Sequence, residues 1–350
     1  MRPSLPVLLL SLPLLFAAHA SAQDAAPLTI EQVMADPDWI GPPVERAWWA
    51  WDGQRVHYEL KREGSPIRDT YEQSTSGASA KRVGDGERAT LDASNPVYDA
   101  QRQRMAFVRN GDVFVRDLRN GALSQLTRSN DDEAQPRFTT DGGLSWRVGN
   151  QWYRATASGN VSQAAVLKAE KDPAAKPKPD ALREQQLRTI ETLARDRAQR
   201  DALQKQAEAW RKADPSRAAA PIYLGDEVEI IDSALSPDAR WMLVVTQKKG
   251  ADAGQAGKMP KYVTESGYEE FQEVRTRVGR NAPIAQALWL VDVAAASARE
   301  LKFDALPGIA DDPLAAMRKA AGKDPLKGNR DVQVATRGDN GDASLLRWSD

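Results

Sequence analysis

The sequence contains no cysteine, which excludes disulfides, thiolate-bound zinc, iron–sulfur clusters and a cysteine nucleophile. Histidine is nearly as scarce, with only His19 and His57. That leaves too few imidazoles for a catalytic zinc centre and few bases for a serine nucleophile. No G-x-S-x-G elbow occurs, so the usual strained turn that presents such a serine is missing as well. Nor does one sign of charge accumulate. The chain carries 48 Lys+Arg against 49 Asp+Glu, a net charge of −1, whereas nucleic-acid binders and polybasic membrane-surface proteins show a clear positive excess. No cofactor motif survives inspection. Gly84 to Ala89 spells G-x-G-x-x-A, but it lacks a preceding βαβ strand and a following helix, and reads as a turn.

What is present begins with a leader. Arg2 supplies a short positive region, Leu5 to Phe16 an apolar run, and Ala20-Ser21-Ala22 a small–x–small cleavage site before Gln23. The apolar run, broken by Pro6 and Pro13, is too short for a comfortable span. The expectation is a signal peptide over 1–22 and an exported, periplasmic or secreted protein with no membrane span after cleavage. The absence of thiols fits such an oxidising compartment.

After an N-terminal arm over 23–47, containing a short helix, the chain reads as β-structure with a repeat. Strand-like runs at 103–110, 113–118 and 123–127 are joined by turns at Asn110-Gly111-Asp112 and Asn120-Gly121, whose Asn-Gly pairs are strong hairpin signals. A turn of the form x-Asp-Gly/Ala precedes an apolar strand at Asp52, Asp99, Asp141 and Asp238, and Ser349-Asp350 opens another. The first spacings, 47 and 42 residues, are those of a four-stranded blade, and the longer ones shorten to blade size once insertions are removed. The fold class expected is all-β, an incomplete β-propeller over 48–350. A single four-stranded sheet cannot cover both its faces, so such units must stack.

Two insertions decorate the repeat. The first, 171–220, is a charged helical segment capped by Asp180 and ended by Asp214-Pro215, with a thin apolar stripe that includes Leu203 and Trp210. Its plain reading is a solvated helix or hairpin; the sharper one is a docking arm. The second, 250–283, is a loop insertion that opens with small residues and carries Tyr262, Tyr268, Glu269, Glu270 and Phe271. Adjacent carboxylates at Glu269 and Glu270, on a loop or short helix, suit a cationic group such as a peptide's amino terminus. The plain alternative is a solvated acidic turn balanced by Arg275 and Arg277. His57 is expected as a partly exposed strand residue. Trp48, Trp49 and Trp51 suit a sugar-stacking platform, or more simply aromatic packing at the start of a blade.

The capped segment Leu28 to Met34, with Thr29 and Gln32 as a capping box, leads through Gly41-Pro42-Pro43 into Trp51 to Tyr58. Together with Gly111 to Leu118, Ser236 to Trp241, and Arg277 to Pro283 before Leu288 to Asp292, it resembles the start of bacterial prolyl oligopeptidase and dipeptidyl peptidase IV family serine peptidases. The resemblance covers only that family's N-terminal propeller. It implies seven or eight blades in the full protein, peptide substrates, no cofactor, and a C-terminal α/β-hydrolase domain that carries the Ser-Asp-His triad. That domain is missing here, so no catalytic residue carries over. The resemblance implies that Glu269 and Glu270 take the place of the family's substrate-anchoring pair, although they stand closer to Arg277 than that pattern implies. A homo-oligomer is compatible with the family. Blade repeats of this type also occur in TolB-like periplasmic proteins, which makes a stand-alone binding propeller the alternative.

Overall fold

The computed structural model describes residues 29–35, 41–175, 178–214, 216–250, 256–276, 284–334 and 346–349. The expected signal peptide, Arg277 to Pro283 and Asp350 lie outside them. A short helix, α1 (Ile30–Ala35), precedes β1 (Val44–Trp49), so the first strand starts inside the stretch expected as an arm.

Strands β1, β2 (Arg55–Lys61), β3 (Arg68–Ser74) and β4 (Lys81–Arg82) form an antiparallel sheet in sequence order. The pattern repeats in β5 (Val97–Tyr98), β6 (Arg104–Arg109), β7 (Asp112–Asp117) and β8 (Leu123–Gln125). The third sheet contains β9 (Glu133–Phe138), β10 (Leu144–Val148), β11 (Gln151–Ala155) and β12 (Val161–Lys168). The helical insertion follows as α2 (Ala181–Thr189) and α3 (Glu191–Ala213). Asp180 caps α2, accepting from the Leu182 N–H at 2.9 Å, and Arg197 reaches back to Glu184 at 3.2 Å. The chain returns as β13 (Pro221–Tyr223), which pairs parallel with β12 and adds a fifth strand to the third sheet. A fourth sheet uses β14 (Val228–Leu235) and β15 (Trp241–Lys248). The hairpin β16 (Ala256–Lys261) and β17 (Glu270–Thr276) interrupts it before β18 (Gln286–Asp292) and β19 (Ser297–Leu301) complete it. Helix α4 (Ala315–Ala320) comes last.

Side-chain alternation explains the stacking. On the second sheet, Met105, Phe107 and Phe114 face the first sheet and meet Trp51. Ala106 and Val113, on the opposite pleat, meet Leu144, Trp146 and Ala155 of the third. Trp152, Ala165 and Leu167 on the far side of the third sheet pack on Met242, Val244 and Val291 of the fourth. Leu346 and Trp348 begin to cover the fourth sheet's remaining face, where the Trp348 indole N–H donates to the Ala234 carbonyl at 3.0 Å. Among the described residues the stack is open: Trp49, Val56, Tyr58, Leu60 and Tyr71 on the outer face of the first sheet are half-buried or exposed.

Asp52, Asp99, Asp141 and Asp238 each lie between the first and second strands of their sheets, where they tie down the turn. Asp99 accepts from the backbone N–H groups of Gln103 (2.7 Å) and Arg104 (3.1 Å), and from Arg104 Nε at 3.1 Å. Asp141 and Asp238 accept from Thr139 and Ser236 hydroxyls two residues upstream. At Asn110-Gly111 both residues have positive φ, the backbone that a two-residue primed hairpin requires. Burial pushes the Asp99 carboxyl up, but its bonds to Arg104 and Gln103 outweigh this and hold it below its ordinary value. A depressed native pKa contributes stability above the unfolded-state pKa and loses it as pH falls through the native one. Asp99→Asn is therefore expected to lower stability at pH 7 by roughly 1 kcal/mol. Thermal unfolding should show that deficit shrinking as the pH falls from about 5 toward 2; a deficit independent of pH would exclude a role for the charge.

Candidate functional site

The acidic pair stands on an arm rather than on a bare loop or helix. Residues 256–276 form the β16–β17 hairpin, with Lys261 opposite Glu270 and Pro260 opposite Phe271. Phe271 and Val274 stand three residues apart, which is not strand alternation; the strand is set by its antiparallel pairing with β16. Glu269 closes the tip turn and Glu270 opens β17; both are exposed. Ser266 Oγ donates to Glu270 Oε1 at 2.7 Å, and Thr264 Oγ1 donates to the Tyr268 carbonyl at 2.5 Å, so the tip is internally tied. Tyr262, Val263, Tyr268 and Phe271 project with 64% or more of their surface exposed. The Arg275 side chain and Arg277, expected as counter-charges, fall outside what is described.

At the root of the arm, where β15 ends and β18 begins, lies an open groove of about 410 Å³. Trp289 forms its platform, and its indole N–H donates to Thr246 Oγ1 at 2.9 Å, which fixes the ring. Ala285 and Ala287 leave room beside it, and Glu227, Glu300 and Lys248 stand among its lining. An aromatic floor flanked by small residues accepts an apolar side chain, and the carboxylates suit a cationic group. Nothing in the local sequence around Trp289 marks this groove, because it exists only where an insertion leaves the fourth sheet.

A second, more polar cleft of about 170 Å³ lies between the first sheet and the segment 83–92 that leads to the second. His57 lines it and is 2% exposed, contrary to the expected partial exposure. The reason is tertiary: β3 sets Glu72 directly opposite, β1 sets Trp48 on the other side at a 5.7 Å ring separation, and the segment through Leu91 and Asp92 covers the face. His57 Nε2 lies 3.0 Å from Glu72 Oε2, which also accepts from Arg55 Nη1 at 3.2 Å. Arg55 also reaches Asp52 at 3.1 Å. Burial pushes the Asp52 carboxyl up, but the Gln54 N–H and Arg55 prevail and hold it low. At the mouth Lys81 pairs with Glu87 at 2.8 Å. The hydrogen bond to Lys81 and the Gly84 N–H keep the Glu87 carboxyl below its ordinary value. The G-x-G-x-x-A segment, 84–89, runs into the short 3₁₀ turn Glu87–Thr90 beside this mouth, where Glu87 Oε2 accepts from the Gly84 N–H at 2.8 Å.

The structure thus separates the expected site residues. Glu269 and Glu270 share the hairpin tip, whereas His57 lies in the first sheet, three before the fourth sheet that the hairpin interrupts. The three tryptophans also part company: Trp48 covers His57, Trp49 is 62% exposed, and Trp51 packs toward the second sheet. The cleft lining includes Thr90 but no serine.

No family model and no curated protein matches the sequence. Among solved structures, the chain is similar to dipeptidyl peptidase 4 of Porphyromonas gingivalis, with a TM-score of 0.33 and 12% identity over 80% of this chain and 35% of that one. It is similar to TolB of Acinetobacter baumannii, with a TM-score of 0.24 and 13% identity over 74% and 54% of the two chains. The β-propeller domain of the Trilobed protease from Pyrococcus furiosus gives 0.27 and 7% identity over 75% and 57%. This chain spans less than two thirds of each of them. Likeness at this level assigns neither family nor activity.

Proposed function

We propose that this chain is a peptide-binding and gating module, the propeller portion of an exported serine peptidase of the prolyl oligopeptidase and dipeptidyl peptidase IV type. The observation that carries the reading is the β16–β17 arm, whose exposed tip joins Tyr262, Tyr268 and Phe271 to Glu269 and Glu270, beside a separate groove floored by Trp289 on the sheet that the arm interrupts in the chain. Aromatic side chains supply contact area for an extended peptide, and paired carboxylates supply charge-assisted acceptors for its amino terminus. In this reading the full ring has seven or eight blades, and an α/β-hydrolase domain supplies the triad that hydrolyses the peptide. This chain by itself binds without turnover.

Calorimetric titration with short peptides tests this. The free-amine form is expected to bind, the acetylated form to bind about tenfold more weakly, and Glu269→Gln/Glu270→Gln to remove that difference. Equal affinity for free and acetylated peptides would defeat the amino-terminus anchor. A second reading is a stand-alone propeller binding protein, for which the exposed arm tip and the Trp289 groove would serve as the binding surface without a hydrolase domain. The mass of the native product separates the two. A species far above 38.4 kDa supports the peptidase, and one slightly below it supports the binder.

A further inference from the structure

The third and fourth sheets meet through apolar side chains, but beside their edge strands, β9 and β14, the contact turns basic. Strand pairing sets Arg137 opposite Ser145, and Arg147 follows two positions along β10, on the same side of the pleat. Trp146, between them, packs toward the second sheet. Arg147 lies on the other side, where its Nη1 donates to Asp232 Oδ1 of β14 at 3.3 Å. The turns after β9 and β14 are also joined, because the Thr140 N–H donates to the Pro237 carbonyl at 3.0 Å. A third guanidinium arrives with the segment 346–349. Leu346 packs beside Ala234 and Val245, and the Trp348 indole bonds the Ala234 carbonyl. Arg347, between them, lies near enough for its charge to act on Arg137.

Among the described residues, Asp232 is the carboxylate that acts on Arg137. It is engaged elsewhere, accepting from Arg147 and from the Ser233 N–H at 2.8 Å. No hydrogen bond or ion pair among the described residues holds the guanidinium of Arg137 or of Arg347. Arg137 is half-buried and Arg347 exposed. Burial holds the Arg137 guanidinium below its ordinary value, and the Arg347 charge adds to this while Asp232 opposes it. Two neighbouring cations without an anion between them repel, and the half-buried one has also lost part of its hydration. A bound oxyanion offsets both costs, and the planar donor fork of a guanidinium matches its paired oxygens.

We propose that Arg137 and Arg347 form an oxyanion subsite, with the Arg147–Asp232 pair as its fixed wall. The group it takes is a carboxylate or a phosphoryl group, since either presents two or more oxygens to the two forks. This site uses none of the residues of the arm tip, so it stands whether or not the arm anchors a peptide's amino terminus.

Calorimetric titration of the full chain at low ionic strength tests the subsite, with inorganic phosphate, N-acetyl-dialanine and its carboxyl-terminal amide as probes. Acetylation removes any contribution from a free amino terminus. Phosphate or the acid form of the peptide is expected to bind saturably. Its affinity should fall about tenfold in Arg137→Gln and in Arg347→Gln. Arg347 is exposed, so that variant should keep the circular dichroism of the wild type even if Arg137→Gln does not. Lys205→Gln, which removes an exposed charge from α3, should leave binding unchanged. An acid form that binds more tightly than its amide assigns a carboxylate, and saturable binding of phosphate alone assigns a phosphoryl group; both support the subsite. The proposal is overturned if phosphate fails to bind and acid and amide bind alike. It is equally overturned if Arg347→Gln leaves binding unchanged, or if Lys205→Gln weakens binding as much as Arg347→Gln does.

Discussion

Arg116→Met is expected to destabilise the protein by about 3–5 kcal/mol, close to the loss seen when one partner of a buried ion pair is deleted. Arg116 and Asp92 are 7% and 3% exposed in their side chains, and all three guanidinium nitrogens donate. Its Nε donates to Asp92 Oδ1, Nη1 to the Gly121 carbonyl at 2.8 Å, and Nη2 to the Thr90 carbonyl at 2.7 Å. Removing it strands a carboxylate whose described remaining donor is the Trp51 N–H at 2.8 Å. Arg109 feels the Asp92 charge, but its own guanidinium is committed to the Leu91 carbonyl and stacked 4.0 Å over Phe114. The double variant Asp92→Asn/Arg116→Met should therefore lose less than Arg116→Met, since it no longer buries a lone charge. Urea unfolding at neutral pH measures both. A single variant within about 1 kcal/mol of wild type, the range of exposed pairs, would show that the pair does not hold the first two sheets together.

Trp152→Ala is expected to cost about 3–5 kcal/mol, the range for deleting a fully buried aromatic side chain. Trp152 is 0% exposed and packs among Ala165, Leu167, Ile222, Met242 and Val244, so it belongs to the interface of the third and fourth sheets. Its indole N–H also crosses that interface to Ser233 Oγ at 3.0 Å. Trp152→Phe restores much of the volume but removes the donor, so about 1–3 kcal/mol should remain lost. Trp49→Ala is the matched control. That tryptophan is 62% exposed, and its removal is expected within about 0.5 kcal/mol of neutral. The same denaturation curves check all three. Equal losses for Trp152→Ala and Trp49→Ala would contradict a stack held by its inter-sheet cores.

Much of this arrangement is legible in the residues. The Asp99, Asp141 and Asp238 turns announce their hairpins because an Asx carboxylate captures local backbone N–H groups, a contact that needs no distant partner. Asp180 announces the start of α2 for the same reason. The Asn110-Gly111 turn sets the β6–β7 register through backbone geometry alone. His57 is less transparent. Its pairing with Glu72 follows from the hairpin that joins β2 to β3, around Gly64-Ser65, once the register is counted through. Its burial does not follow, because the residues that cover it belong to the segment that leads into the next sheet. The acidic pair is visible as a pair, yet its place on an exposed hairpin tip depends on β16 finding β17.

The sequence by itself determined the local grammar: alternating strands, turn positions, a capped helical insertion and a repeat of blade length. These rest on contacts between residues a few positions apart, which the order of side chains specifies directly. Tertiary structure alone decided which face of each sheet is covered, that β13 returns beside β12, and that a groove floored by Trp289 opens where β15 ends and β18 begins. It also decided that the Asp92–Arg116 pair is sealed between two sheets. Those outcomes depend on surfaces that meet only after several repeats have stacked, and burial of that kind is a property of the pair of surfaces, not of either strand.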